Sequence, residues 1–162
     1  MTLACIGLGA NLGDAAQTLR GAFAAMAALP LTTLRARSQL YTTPAWGNED
    51  QPAFMNAAAV LDTWLAPTAL LEALLGIERD FGRVRDPAVH WGPRTLDLDL
   101  LLYGDAVIDL PQLKVPHPYL HERAFALLPL AEIAPEALIP GQGRVQDAAM
   151  RIEASGIAPI GG

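Results

Sequence analysis

Residues 94–105, RTLDLDLLLYGD, carry the clearest local pattern in the chain. Leu and Asp alternate through the first half of this stretch, and a short apolar block then ends at a Gly-Asp pair. Alternation of polar and apolar residues, bounded by turn residues, predicts a β-strand. Side chains two positions apart on a strand share one face. We therefore expect Asp97 and Asp99 to point to the same side of this strand, with Leu96, Leu98 and Leu100 on the other.

The paired carboxylates predict a cation site. Two carboxylates beside each other on a strand repel, and a cation between them removes that cost. Oxygen ligands about 7 Å apart along a strand suit Mg²⁺, which takes one or two carboxylates and completes its shell with water and phosphate oxygens. The alternative is an edge strand whose acidic face is solvated.

A cationic segment comes just before this strand. The chain has a formal net charge of −6, yet four of its ten arginines, Arg79, Arg83, Arg85 and Arg94, fall between positions 79 and 94. Glycines and prolines mark the segment as a loop, and guanidinium groups bind phosphate in a bidentate manner. Arginines facing paired carboxylates are what a Mg-polyphosphate site needs. The alternative is that these arginines only pair with neighbouring acids.

Composition predicts a single globular domain over residues 1–162, with 52% hydrophobic and 17% charged residues. No apolar run approaches the roughly 20 residues of a membrane span, and the N-terminus lacks the basic region of a signal peptide. The single cysteine, Cys5, excludes an internal disulfide. Together with the N-terminus, this predicts a cytoplasmic protein. We expect it to bind neither nucleic acid nor membranes, because the chain is acidic and has no extended basic stripe.

In the rest of the chain, on either side of the strand that carries Asp97 and Asp99, hydrophobic periodicity predicts an α+β fold. The predicted order β-α-β-β-α-β matches the ferredoxin-like split βαβ motif, an antiparallel sheet with helices on one face. The predicted strands are 2–9, 31–41, 54–63 and 96–103, and the predicted helices are 14–29 and 66–82. Helical and extended C-terminal additions follow, with an extended excursion at 107–115, helices at about 122–133 and 144–153, and frayed residues at 157–162.

Residues 7–13, GLGANLG, follow a strand and open a helix, as a dinucleotide-binding fingerprint does. The third glycine is one residue late, and no acid lies about twenty residues on to bind a ribose. A Walker A motif is also absent from the sequence, since Lys114 is the only lysine. These glycines therefore indicate a tight turn and a close backbone approach.

Taken together, these motifs resemble the 6-hydroxymethyl-7,8-dihydropterin pyrophosphokinase family of folate biosynthesis. The likeness runs from residues 9–13, GANLG, to residues 133–136, IAPE, and its most specific parts are GRVR at 82–85 and WGPRTLDLDLL at 91–101. The resemblance implies a ferredoxin-like α+β monomer. It also implies transfer of the terminal diphosphate of ATP to the hydroxymethyl group of the pterin, with release of AMP.

The resemblance also implies roles on the ATP side. Asp97 and Asp99 would hold two Mg²⁺ ions that bridge the ATP phosphates and the attacking hydroxyl. Arg83 and Arg94 would act as catalytic phosphate clamps. The nucleotide-binding residues would be Glu78, Arg85, Leu100, His117 and Arg123.

On the pterin side, the resemblance implies stacking on Phe125 and closure by Trp91. Asn56 would hydrogen-bond the pterin edge, because an amide both donates and accepts. The remaining pterin-binding residues would be Thr43, Pro44, Trp46 and Phe54. The stretches 43–53 and 83–92 would act as lids that exclude water. No nucleophile–base pair is visible, and the candidate general base is either Asp97 or a metal-bound hydroxide.

Two departures from the family pattern stand out. Ala45, followed by Trp46, replaces a proline that often follows Pro44. His117 is followed by Pro118 and not by an aromatic residue, although Tyr119 comes next.

Two other functions remain open at the level of sequence. A non-catalytic small-molecule regulatory module could share the architecture, but it would not need an Asp pair facing an arginine loop. A different Mg-dependent transferase could share Asp97 and Asp99, but it would not need to bring Asn56 and Phe125 together around a flat ring.

Overall fold

An antiparallel sheet forms the centre of the computed structural model, which describes residues 1–11, 14–43, 54–82, 96–152 and 156–161. Its first five strands are β1 (Thr2–Ala10), β2 (Thr32–Arg37), β3 (Leu40–Thr43), β4 (Phe54–Thr63) and β5 (Asp97–Tyr103). β4 and β5 flank β1, while β2 and β3 both pair with β4. With α1 (Ala15–Ala27) and α2 (Pro67–Asp80), this order confirms the predicted ferredoxin-like α+β fold.

The two helices begin and end at the residues that favour such boundaries. Asp14 caps α1 by accepting a hydrogen bond from the Gln17 backbone N–H at 3.1 Å. Pro67 occupies the first turn of α2, where its missing N–H costs nothing. Gly82, with φ of +83°, follows α2 in the left-handed conformation that glycine tolerates.

Both faces of the sheet are buried. α1 and α2 cover one face, where they pack on alternate residues of the strands such as Ile6, Leu61 and Leu98. The other face is covered by α3 (Ala124–Ile133) and α4 (Val145–Arg151), which bury Cys5, Val60 and Leu101. The C-terminal additions therefore close the face that a bare ferredoxin-like core would expose.

A bulge in β5 serves this second core. Cys5 of β1 pairs with Leu102, but the next residue, Ile6, pairs with Leu100. Leu101 is therefore the extra residue, and both Leu101 and Leu102 contribute to the core under α3 and α4. Toward the start of β5 the ordinary alternation holds, so Asp97 and Asp99 share that face with Leu101.

The predicted strand 31–41 is broken into β2 and β3. Ser38 interrupts it, where its hydroxyl accepts a hydrogen bond from the Ala58 N–H at 2.8 Å. The Gln39 N–H turns away from the ladder and donates to the Glu132 carboxylate of α3 at 3.1 and 3.2 Å. Glu132 also accepts the Tyr41 hydroxyl at 2.6 Å. The interruption thus ties the strand to α3.

The frayed C-terminus predicted from sequence is wrong. Ala158–Gly161 forms β10, which pairs antiparallel with the outer edge of β3. The extended excursion at 107–115 is a hairpin of β6 (Ile108–Leu110) and β7 (Leu113–Val115). A second short hairpin joins β8 (Leu138–Ile139) to β9 (Gly143–Arg144). In the ranges that the structure describes, no helix combines the length and hydropathy needed to cross a bilayer.

Candidate active site

The site begins with the pairing of β1 and β5. Asp97 lies opposite Gly9 and Asp99 lies opposite Gly7, so the two carboxylates and the two glycines share one face of the sheet. All four residues line one pocket. Because glycine has no side chain, the floor beside each carboxylate stays open. Gly7 and Gly9 of the GLGANLG stretch therefore leave space next to an acidic pair.

Asn56 of β4 forms the next part of the pocket. It pairs directly with Gly9 of β1, and its side chain is buried. Its Oδ1 accepts the Thr43 hydroxyl at 2.8 Å, and its Nδ2 donates to the Leu8 carbonyl at 3.4 Å. These two bonds fix the orientation of the amide. A Cβ on Gly9 would lie 3.0 Å from Nδ2, so any other residue here would push against the amide that these two bonds orient.

The opposite wall comes from the segment between β7 and α3 and from the first turn of α3. His117, Leu120, Arg123 and Phe125 line the pocket together with the acidic pair and Asn56. The His117 N–H donates to the Leu101 carbonyl at 3.0 Å, which fastens this wall to β5. The pocket thus brings two carboxylates, an amide, an imidazole, a guanidinium and an aromatic ring together.

The surroundings of the His117 imidazole favour its neutral form, because they lower its pKa. Partial burial lowers its pKa from the ordinary value of 6.5, and the positive charge of Arg123 lowers it further, while Asp97 acts in the opposite direction. Its Nδ1 accepts the Tyr119 backbone N–H at 3.4 Å. In the neutral ring the proton is therefore on Nε2.

His117 should make the fold sensitive to acid. Between its lowered pKa in the folded chain and 6.5, the unfolded chain binds more protons, so this contribution to stability is complete above pH 6.5 and is lost as the pH falls through the folded pKa. We expect His117→Asn to flatten the fall in unfolding free energy below pH 6.5. Urea titrations of both proteins across this range would measure it. Equal slopes for the two proteins would contradict the pKa direction.

Two residues predicted to contact nucleotide point away from the pocket. Leu100 belongs to the core between the sheet and α1 and α2, and the next residue, Leu101, lines the pocket instead. Glu78 is buried on α2, where its Oε2 accepts the Leu98 N–H at 2.8 Å. Leu98 lies between Asp97 and Asp99, so Glu78 supports the backbone of the acidic strand from the edge opposite β1.

Removing the Glu78 carboxylate should destabilise the fold. Glu78→Ala leaves the Leu98 N–H without this acceptor, and an unsatisfied buried donor costs about 1–3 kcal/mol. We expect the unfolding free energy in urea to fall by that amount. Glu72→Ala, an exposed acid on the same helix, is the matched control and should change little. Equal stability of the two variants would refute a supporting role for Glu78.

Thr43 and Phe54 pair across β3 and β4 beside Asn56. Thr43 is buried and donates a hydrogen bond to the Asn56 amide, while Phe54 is half-buried. Neither residue is part of the pocket wall that the described residues form. The other predicted site residues, Pro44, Trp46, Arg83, Arg85, Trp91 and Arg94, lie outside the described residues, as do most of the two predicted lids.

Sequence reasoning did not assign Gly7, Gly9 or Leu101 to the site. The two glycines alternate at the end of β1 and thus share a face, which is a signal available in the sequence. Strict alternation also places Leu101 on the face of the two aspartates. The uninterrupted run of leucines after Asp99 does not show where this alternation ends, because it hides the bulge.

The donor set fits magnesium. In the part of the chain that the structure describes, no three His, Cys, Asp or Glu side chains form a cage that would hold a metal with protein ligands alone. Two carboxylates on one open pocket face suit an ion that takes its remaining ligands from water and phosphate oxygens. Softer metals, which prefer thiolate or several imidazoles, are not served by this set.

Comparison with known proteins finds relatives over most of the chain. A family model described as 7,8-dihydro-6-hydroxymethylpterin-pyrophosphokinase (HPPK) matches residues 5–135. A 2-amino-4-hydroxy-6-hydroxymethyldihydropteridine pyrophosphokinase of Methylorubrum extorquens is 48% identical over 160 residues, covering 99% of both chains. An enzyme of the same name from Pseudomonas aeruginosa is 50% identical over 135 residues, which cover 83% of this chain and 82% of the relative.

Solved structures show the same fold. The Plasmodium falciparum HPPK-DHPS wild type with pteroate superposes with a TM-score of 0.72 at 16% identity, over 92% of this chain and 42% of that one. This chain therefore spans less than half the length of that protein. The likeness at such low identity concerns the fold alone, whereas the family model and the bacterial relatives cover most of the sequence. The chain belongs to the 7,8-dihydro-6-hydroxymethylpterin-pyrophosphokinase (HPPK) family.

Proposed function

We propose that this chain transfers the terminal diphosphate of ATP to the hydroxymethyl group of 6-hydroxymethyl-7,8-dihydropterin and releases AMP. This is the reaction for which its bacterial relatives are named. The observation that carries the proposal is one pocket in which the acidic pair Asp97 and Asp99 meets the Asn56 amide and the Phe125 ring. A regulatory module would not need the two aspartates. A transferase with another acceptor would not need Asn56 and Phe125 to line the same pocket.

The acceptor side suits a flat ring with a polar edge. Phe125 offers an aromatic face for stacking. Asn56 keeps one amide hydrogen and acceptor capacity on Oδ1 beyond its bonds to Leu8 and Thr43, so it can pair with a donor and an acceptor on the ring edge. Of the residues outside the described ranges, Pro44, Trp46 and Trp91 complete this side in the proposal, with Phe54 as a neighbour.

The donor side suits a magnesium-bound triphosphate. Asp97 and Asp99 hold two Mg²⁺ ions in the proposal; when bound, these ions neutralise phosphate charge and orient the attacking oxygen. Arg123 adds a guanidinium, and neutral His117 can donate from Nε2 to a phosphate oxygen. Arg83, Arg85 and Arg94 complete the phosphate clamp. Transfer of this kind depends on positioning and charge neutralisation more than on covalent chemistry.

Glu78 and Leu100 take supporting parts in the proposal. Glu78 holds the edge of β5 between the two aspartates, and Leu100 fixes the same strand in the core. Both would influence nucleotide binding through the position of the acidic pair. The proposal includes one domain over residues 1–162 that acts as a cytoplasmic monomer, with ATP and the pterin as its partners and neither nucleic acid nor membrane among them.

The test is AMP release from ATP with and without 6-hydroxymethyl-7,8-dihydropterin, in magnesium and again in EDTA. Pterin-dependent AMP, with the diphosphate recovered on the pterin and activity lost in EDTA, supports the proposal. Release of ADP or free phosphate would indicate a transferase with another acceptor. Nucleotide binding without turnover would favour the regulatory module.

A further inference from the structure

The guanidinium of Arg123 lies close to two aromatic rings. Its central carbon is 5.4 Å from the centroid of Tyr119 and 5.7 Å from that of Phe125. Both distances are within the range of a cation–π interaction. Arg123 and Phe125 line the pocket, whereas Tyr119 is a half-exposed ring outside the wall formed by the described residues. The Tyr119 ring is therefore linked to the site through its contact with Arg123.

One turn of backbone sets this arrangement. Residues Leu120–Glu122 form a single 3₁₀ turn, with Tyr119 immediately before it and Arg123 immediately after. The Glu122 N–H donates to the Tyr119 carbonyl at 3.0 Å, and the Arg123 N–H donates to the Leu120 carbonyl at 3.2 Å. Leu120 is fully buried and anchors the turn in the core under α3. The ring and the guanidinium thus start from a fixed backbone.

Tyr119 also contacts the second basic group of the pocket wall. Its backbone N–H donates to Nδ1 of His117, which directs the proton of the neutral imidazole to Nε2. The backbone of Tyr119 therefore acts on His117, while its side chain acts on Arg123. A substitution at this position keeps the first contact and removes only the second, so the two can be separated by experiment.

We propose that Tyr119 is a positioning residue, whose ring holds the Arg123 guanidinium against Phe125 at the pocket wall. An arginine side chain loses considerable rotamer freedom when it binds phosphate, and holding it in place beforehand lowers that cost. The inference rests on the proposed function, because the group that Arg123 would meet is the triphosphate. In this proposal Tyr119 itself does not contact the substrate.

The first experiment compares Tyr119→Ala with Tyr119→Phe. Loss of a cation–π contact at an exposed site corresponds to a factor of about two to five in binding. We expect Tyr119→Ala to raise the Kd of a non-hydrolysable ATP analogue and the KM for ATP by this factor, with kcat and the KM for pterin unchanged. Tyr119→Phe keeps the ring and should restore the wild-type values. Trp64→Ala, which removes an exposed ring in another part of the fold, should have no effect.

The second experiment tests whether the ring acts through the arginine. In an Arg123→Ala background, Tyr119→Ala should cause no further change in nucleotide affinity, because its partner is gone. An unchanged Kd in Tyr119→Ala, or an equal effect in both backgrounds, would overturn the proposal. A wild-type protein that binds nucleotide but releases no pterin-dependent AMP would instead contradict the proposed function, while the binding measurements would still decide the role of Tyr119.

Discussion

Replacing either Asp97 or Asp99 with alanine is expected to reduce kcat for pterin-dependent AMP release by about 10³-fold or more. The two carboxylates share one face of β5 and line the same pocket, so each is a ligand in the proposed magnesium site. Losing a charge that holds a metal at the transferring phosphates removes several kcal/mol of transition-state stabilisation. A factor of 10³ corresponds to about 4 kcal/mol.

The fold should survive either substitution. Both side chains are half-buried on an open pocket face, and β5 keeps its backbone pairing with β1 and the support of Glu78. Relief of repulsion between the two carboxylates also offsets part of what is lost. Urea unfolding of both variants alongside the wild type would therefore separate a loss of catalysis from a loss of structure.

Asp105→Ala provides the matched control, because Asp105 lies in the exposed turn directly after the same strand. It should keep wild-type turnover at every magnesium concentration. For the two site variants, turnover should remain low even at high magnesium. Near-normal kcat in either of them would eliminate that residue as a metal ligand.

The sequence predicted the order of helices and strands along the chain and the acidic face of β5, because both depend on periodicity. Alternating residues set the faces of β4 and β5, and capping residues such as Asp14 and Pro67 set the helix boundaries. Because these signals are local, they can be recognised without knowing what packs against each element. The family resemblance then connected the acidic strand to residues far away in sequence, including Asn56 and Phe125.

What the sequence could not give depends on contacts between distant elements. The break at Ser38 is stabilised by Glu132, which accepts a hydrogen bond from the Gln39 N–H and is 93 residues away from it along the chain. The residues near the break therefore carry no sequence signal that would predict it. The pairing of β10 with β3 likewise needs a partner edge that only the folded sheet provides. Glu78 has the pattern of a helix-surface acid, and only the position of β5 makes it a buried backbone acceptor.

Phe125→Ala is expected to weaken pterin binding about 5- to 150-fold while changing ATP-analogue affinity far less. Stacking of a heteroaromatic base on an aromatic side chain contributes about 1–3 kcal/mol, which gives this range. Phe125 is half-buried at the start of α3 and lines the pocket, so its ring can serve a ligand as well as the core. Calorimetric titration with the pterin and with a non-hydrolysable ATP analogue would measure both affinities.

The controls decide between a ligand role and a packing role for Phe125. Phe125→Tyr keeps the ring and should keep pterin affinity. Leu128→Ala removes another half-buried side chain from the same helix, and it should lower stability without a selective loss of pterin binding. Since Phe125 also contacts the Arg123 guanidinium, a small loss of nucleotide affinity is expected. Equal losses for both ligands would mean that Phe125 supports the pocket wall and does not form the pterin stacking surface.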